Sequence, residues 1–144
     1  MGRVECDTSR CSGCLACVVA CLDQHYDEAC GEAVSPRIYE MQKREHSNLK
    51  TYVTRSCLHC KDAACLSACH FGALVRDERG FVVSKREQCK GCRLCLKACP
   101  HDVPRFDGEG KIVKCDGCSV RVAMGLEPAC VRACNTGALR YVQS

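Results

Sequence analysis

Sixteen cysteines stand in four groups, and their spacing leaves few folds open: CSGCLACVVAC (residues 11–21), CLHCKDAACLSAC (57–69), CKGCRLCLKAC (89–99) and CDGCSVRVAMGLEPACVRAC (115–134). Groups one and three share the frame CxGCxxCxxAC and agree at six of eleven positions. Groups two and four share another frame, in which four and eleven residues separate the second cysteine from the third. Their tails, ACLSACHFGAL and ACVRACNTGAL, are nearly the same. Such alternation is what a duplicated two-motif unit leaves behind. The chain of 144 residues has three Phe and no Trp, a thin supply for an apolar core, so something bonded to the cysteines is expected to replace part of it.

Cysteine at this density means either a disulfide framework or thiolate ligation of metal. The stretch MGRVECDTSR lacks the basic and apolar regions of a secretory signal, and no apolar run approaches the length of a membrane span. The expectation is a soluble protein made in the cytoplasm, where closely spaced thiols read as ligands. Export alongside a signal-bearing partner stays open. Structural zinc takes thiolates as two separated pairs, which would leave the third cysteine of CxxCxxC without a purpose. In CxxCxxCxxxC three thiolates can instead hold three corners of one 4Fe-4S cube, with loop amides aimed at sulfur. The fourth, placed at the start of a short helix, serves the neighbouring cluster. Four 4Fe-4S clusters are therefore expected.

Which groups pair can be read from the gaps. Between Cys69 and Cys89 lies HFGALVRDERGFVVSKREQ, where ALV and FVV read as strands and DERG as the turn of a hairpin. Groups two and three then form one compact unit, residues 57–99, and groups one and four pair across it in an outer unit of residues 1–56 and 100–144. The clusters would be held by Cys11, Cys14, Cys17 and Cys134; by Cys21, Cys115, Cys118 and Cys130; by Cys57, Cys60, Cys65 and Cys99; and by Cys69, Cys89, Cys92 and Cys95. A sequential pairing, one with two and three with four, is the alternative. Near residues 37–55, RIYEMQKRE and KTYVTRS read as a polar β-hairpin, a lid over a cluster or a docking surface.

The formal charge of +4 comes from basic residues scattered among the motifs, without the stripe that nucleic acid requires. Four clusters at about −2 each would bring the sum to about −4, so these cations read as compensation for buried anions. No GxGxxG or GxxxxGK[ST] loop appears, and nothing supports catalysis within the chain. Cys6 and Cys30 lie outside the four groups and read as structural thiols. His25, His46, His59, His70 and His101 are assigned no ligand role. Leu15, Val18, Leu66, Leu94 and Val131 are expected to keep water from the clusters.

The segments RCSGCLAC, CLHCKDAAC, CKGCRLCLKACP and KCDGCSVRVAMGLEPACVRACNTGALRYV together resemble the four-cluster ferredoxin-like electron-transfer subunits of molybdenum and tungsten oxidoreductase complexes. The likeness spans nearly the whole chain. It implies an α+β fold of two bacterial-type 2x(4Fe-4S) ferredoxin units, one inserted within the other, built of short helices and β-hairpins. It also implies the first-with-fourth, second-with-third pairing and a catalytic partner bearing tungsten or molybdenum, faced by the group-one cluster. A further electron acceptor or donor protein is implied as well. In size the chain is close to the small subunits of aldehyde oxidoreductase-type tungsten enzymes. A free polyferredoxin with no permanent partner would carry the same ligands. The family usually has proline after the fourth cysteine of groups two, three and four, whereas here His70 and Asn135 stand at two of those places and only Pro100 remains.

Overall fold

The computed structural model describes residues 2–25, 34–43 and 50–143. Cys30, His46 and the tip of the hairpin near residues 46–48 lie outside the described residues. Regular structure comes in short pieces because the cysteine loops interrupt the chain at short intervals.

Among the described residues, four antiparallel ribbons of two strands each carry the β structure. The strand β1 (Gly2–Cys6) pairs with β8 (Leu139–Gln143), with Val4 opposite Tyr141, which ties the two ends of the chain together. The strands β2 (Ile38–Lys43) and β3 (Lys50–Arg55) form the expected polar hairpin. The strands β4 (Leu74–Arg76) and β5 (Val82–Ser84) form the hairpin read from ALV and FVV, with Val75 opposite Val83. Its turn is held by Asp77, whose Oδ1 accepts the amides of Arg79 and Phe81, both at 2.9 Å. A smaller ribbon, β6 (Arg105–Phe106) with β7 (Ile112–Val113), closes the same way on Asp107, which accepts from Glu109 and Lys111 at 2.9 and 3.1 Å. An aspartate that starts a turn substitutes its carboxylate for a missing backbone acceptor.

Among the described residues the α-helices are α1 (Ala16–His25), α2 (Ala64–Ala68), α3 (Leu94–Ala98), α4 (Ser119–Ala123) and α5 (Ala129–Ala133). Helices α1 and α5 pack together, as do α2 and α3. The fourth cysteine of a group does not start its helix, contrary to expectation. Cys69, Cys99 and Cys134 are the C-terminal caps of α2, α3 and α5, each with an extended backbone. The reason is local: these helices begin one residue before the third cysteine, and CxxxC then uses up the single turn. Cys21 differs, lying inside α1, which runs on to His25.

Among the described residues two small cores follow from this layout. One gathers Ala73, Leu74, Cys89, Cys95 and Ile112; the other gathers Val4, Cys17, Cys130 and Leu139. Val18, Leu66 and Val131 pack against them, as expected of residues that exclude water. Leu15 and Leu94 do not: they are 40% and 36% exposed. Leu15 takes a left-handed backbone (φ 66°), and Leu94 follows Arg93 in the same conformation (φ 64°), so the loop carries both outward at the helix start. Among the described residues no helix is long and apolar enough to cross a membrane.

Candidate metal centres

Each group opens with CxxC, and the residue before the second cysteine is left-handed in all four: Gly13 (φ 74°), His59 (φ 50°), Gly91 (φ 72°) and Gly117 (φ 75°). In three of them the amide of that residue meets the first cysteine of its group. The His59 amide donates to Cys57 Sγ and the Gly117 amide to Cys115 Sγ, both at 3.3 Å. The Gly13 amide likewise favours the thiolate of Cys11. Cys89 receives its amide from across the chain, from Ile112 at 3.3 Å.

The repeated tail of groups two and four has a comparable purpose. Burial works against the thiolate of Cys69, but the amides of Phe71, Ala73, Leu74 and Gly72 outweigh it, and the thiol lies below its ordinary value. Cys134 shows the same balance, with burial opposed by the Thr136 hydroxyl and the amides of Leu139, Ala138 and Thr136. The residues FGAL and TGAL are thus alike because both wrap amides round a cysteine. His70 and Asn135, where the family usually has proline, are exposed and their amides are not among these donors.

Cys69, Cys89, Cys92 and Cys95 line one cavity, walled by Phe71, Leu74, Phe106 and Ile112. Burial, with Cys89 and Cys92 close by, pushes the Cys95 thiol up to about 11. Cys21, Cys115, Cys118 and Cys130 line a second cavity, which Cys57, His25, Arg37 and His59 also reach. There burial and then the proximity of Cys115, Cys130 and Cys118 hold the Cys21 thiol far above its ordinary value. Cys115 is pushed up to about 12, chiefly by burial. Cys65 is raised by burial first, with Cys57 and Cys99 as neighbours, while Cys60 completes the CxxC turn that begins at Cys57. Cys11 is raised by burial, with Cys6 and Cys17 beside it. Cys17 and Cys134 share one core, and Cys14 is exposed. Cys6 packs in that core too.

Thiols buried this deeply resist ionisation unless positive charge meets them. Among the described residues two buried cations do so. Arg37 is 1% exposed, and its Nη1 lies 3.9 Å from Cys130 Sγ. Lys114 is 6% exposed and donates to the carbonyls of Val82 and Cys115. Among the described residues neither has a carboxylate within ion-pairing distance. Buried charges are ordinarily paired. Four thiols at a site, inward amides and unmatched buried cations together fit a thiolate-held cluster with net negative charge.

Sequence reasoning passes over Arg37, Lys114 and His59, because a charge or a histidine in a polar stretch reads as surface. His59 is 2% exposed; its Nδ1 accepts the Val82 amide at 2.9 Å, and its Nε2 lies 3.8 Å from Cys115 Sγ. Burial, then Lys114 and Arg76, lower its pKa to about 3, so the ring is neutral. With Nδ1 accepting, Nε2 carries the hydrogen and faces sulfur. His25 Nε2 lies 3.5 Å from Cys118 Sγ and 3.6 Å from Asp116 Oδ1. The β2–β3 hairpin covers group one: Thr54 Oγ1 is 3.5 Å from Cys17 Sγ, and a Cβ on Gly13 would meet the Tyr52 ring at 2.6 Å.

Comparison with known proteins adds an independent finding. The 4Fe-4S dicluster domain matches residues 49–144, and a 4Fe-4S binding domain matches residues 8–24. The sequence is 40% identical over 146 residues to an anaerobic dimethyl sulfoxide reductase subunit of Haemophilus influenzae, covering 94% of this chain and 70% of that one. It is 41% identical over 145 residues to YnfG, a probable anaerobic dimethyl sulfoxide reductase subunit of Escherichia coli K12, with coverage of 94% and 70%. Against the iron-sulfur subunit of nitrate-inducible formate dehydrogenase of the same strain, identity is 35% over 152 residues, covering 94% of this chain and 52% of that subunit.

Proposed function

The chain belongs to the 4Fe-4S dicluster family, and on that footing we propose that it is an iron-sulfur electron-transfer subunit of an oxidoreductase complex. It carries 4Fe-4S clusters and is not itself catalytic. The reading rests above all on sixteen grouped cysteines, nine of which line two cavities, the one built on Cys21, Cys115, Cys118 and Cys130 lying beside buried cations that lack carboxylate partners among the described residues. When bound, a 4Fe-4S cluster supplies a one-electron redox centre whose potential the protein tunes within about −700 to +450 mV.

The count of four clusters and their ligands is part of the proposal. Cys11, Cys14, Cys17 and Cys134 would hold the first; Cys21, Cys115, Cys118 and Cys130 the second; Cys57, Cys60, Cys65 and Cys99 the third; and Cys69, Cys89, Cys92 and Cys95 the fourth. Supporting the nested arrangement, α1 packs on α5, α2 packs on α3, and β1 pairs with β8. Ligand thiols are exposed at Cys14 in the first set and at Cys92 in the fourth. Apolar side chains lie near both, Leu15 and Val19 by one and Phe71 and Leu94 by the other. These are the two places where partners would come close enough to exchange electrons. We assign the first to a catalytic subunit with a molybdenum or tungsten cofactor, the tungsten case being of the aldehyde oxidoreductase type, and the second to an external carrier. Thiolate ligation of this kind is at home in a reducing compartment, which favours the cytoplasm.

A metal inventory with native mass, on protein isolated without oxygen from its own host, tests the reading. About sixteen irons per chain with tungsten or molybdenum in a larger complex is the expected result. The same iron in a lone chain would favour a free polyferredoxin. Far less iron, or zinc in its place, would overturn the four-cluster assignment.

A further inference from the structure

Arg37 sits between two ligand sets. Its Nη1 lies 3.9 Å from Cys130 Sγ and donates to Ser56 Oγ at 2.8 Å. Its Nε donates to Thr54 Oγ1 at 3.0 Å, and its Nη2 to the Thr54 carbonyl at 3.2 Å. That same Thr54 hydroxyl lies 3.5 Å from Cys17 Sγ. One guanidinium therefore touches a cysteine of the second set directly and a cysteine of the first set through a single hydroxyl. Every hydrogen-bond partner of its side chain here is neutral or a thiol, and the group is 1% exposed. Water cannot screen it, so its charge acts on the neighbouring sites at low effective dielectric.

We infer that Arg37 is a redox-tuning residue of the outer pair of clusters, favouring the reduced form at Cys130 directly and at Cys17 through Thr54. The inference rests on the cluster ligation proposed above. Reduction adds one electron, drawn from the titrant, and with it one negative charge beside the guanidinium. No bond is made or broken, and no proton moves at Arg37, because the guanidinium stays charged throughout. With Nε donating to the Thr54 oxygen, that hydroxyl is free to turn its own hydrogen toward a Cys17 thiolate. A purely structural role, stitching residues 35–37 to β3, would leave the potentials where they are.

The experiment is an EPR-monitored redox titration of the anaerobically isolated full chain in its native complex, with iron counted in every sample. Wild type is compared with Arg37→Gln, Arg37→Lys and Thr54→Val. In Arg37→Gln one cluster is expected to lose at least tenfold in its reduction equilibrium constant, about 59 mV for a one-electron couple, and a second to lose less. Arg37→Lys should recover most of that loss, and Thr54→Val should lower one potential alone. Full iron with all four potentials unmoved in Arg37→Gln overturns the inference. Should Arg37→Gln shed its iron, Thr54→Val decides: at full iron, one lowered potential supports the inference and none overturns it. Wild-type protein that never holds about four irons per group defeats the ligation itself, a result distinct from unmoved potentials.

Discussion

Gly117→Ala offers a sharp test of how tightly the group-four loop is built. The substitution carries two costs that the structure separates. A left-handed backbone (φ 75°) penalises any side chain by about 1–2 kcal/mol. Gly125 has the same φ with nothing within 4 Å of an added methyl, so Gly125→Ala measures that cost alone. At Gly117 the new Cβ would fall 2.6 Å from Phe81 Cε1 and 2.7 Å from Cγ. Phe81 cannot swing aside, because it is 1% exposed and stands edge-on to the His59 ring at 5.1 Å. Overpacking of this kind adds about 1–3 kcal/mol, for a total of about 2–5 kcal/mol. Unfolding that releases clusters is irreversible, so the observable is a rate. The anaerobic bleaching of cluster absorbance in guanidinium should run about 5- to 150-fold faster in Gly117→Ala than in Gly125→Ala, if the added cost falls on the unfolding limb. Equal rates in the two variants would refute the claim that the buried Phe81 ring packs rigidly against Gly117.

Three further outcomes are expected. Removing any one of the sixteen grouped cysteines, for instance Cys95→Ala, should lower bound iron by about four per chain, whereas Cys6→Ala should leave iron unchanged; elemental analysis of paired preparations checks this. His59→Leu leaves the buried Val82 amide without the acceptor it now has at 2.9 Å and should cost about 1–3 kcal/mol, visible as faster bleaching. Asp107→Ala removes the acceptor of two turn amides and of Arg86, at 2.9 to 3.1 Å, and should cost a similar amount. Burial opposes ionisation of Asp107, but those donors hold its carboxyl below the usual value. Its contribution is therefore complete above the unfolded pKa of about 4 and is lost as pH falls through the lower folded value, so the gap between wild type and Asp107→Ala should close in acid.

Much of the candidate site is legible in the chain because ligand spacing is a local property. CxxC followed by CxxxC states which thiols a single turn and a single helix can bring together, and DERG between two β-branched runs states a hairpin. The repeated GAL is legible as a repeat, yet its purpose, amides gathered on Cys69 and Cys134, emerges only in the folded chain. Helix placement at the fourth cysteine escapes sequence reasoning because caps depend on where the helix begins, a matter of one residue. Leu15 and Leu94 read as buried because apolar character says nothing of which way a left-handed loop points.

What the sequence by itself determined is the chemistry: sixteen thiols in two alternating frames, a chain too poor in aromatic residues for an ordinary core, and membership in a family of cluster-bearing chains. Only the tertiary structure decided which charges surround those thiols. Arg37 and His59 lie far along the chain from the cysteines they approach, 93 residues from Arg37 to Cys130 and 56 from His59 to Cys115. No local pattern announces such a contact, since a charged side chain is buried only when the whole fold closes over it and supplies something for its charge to face.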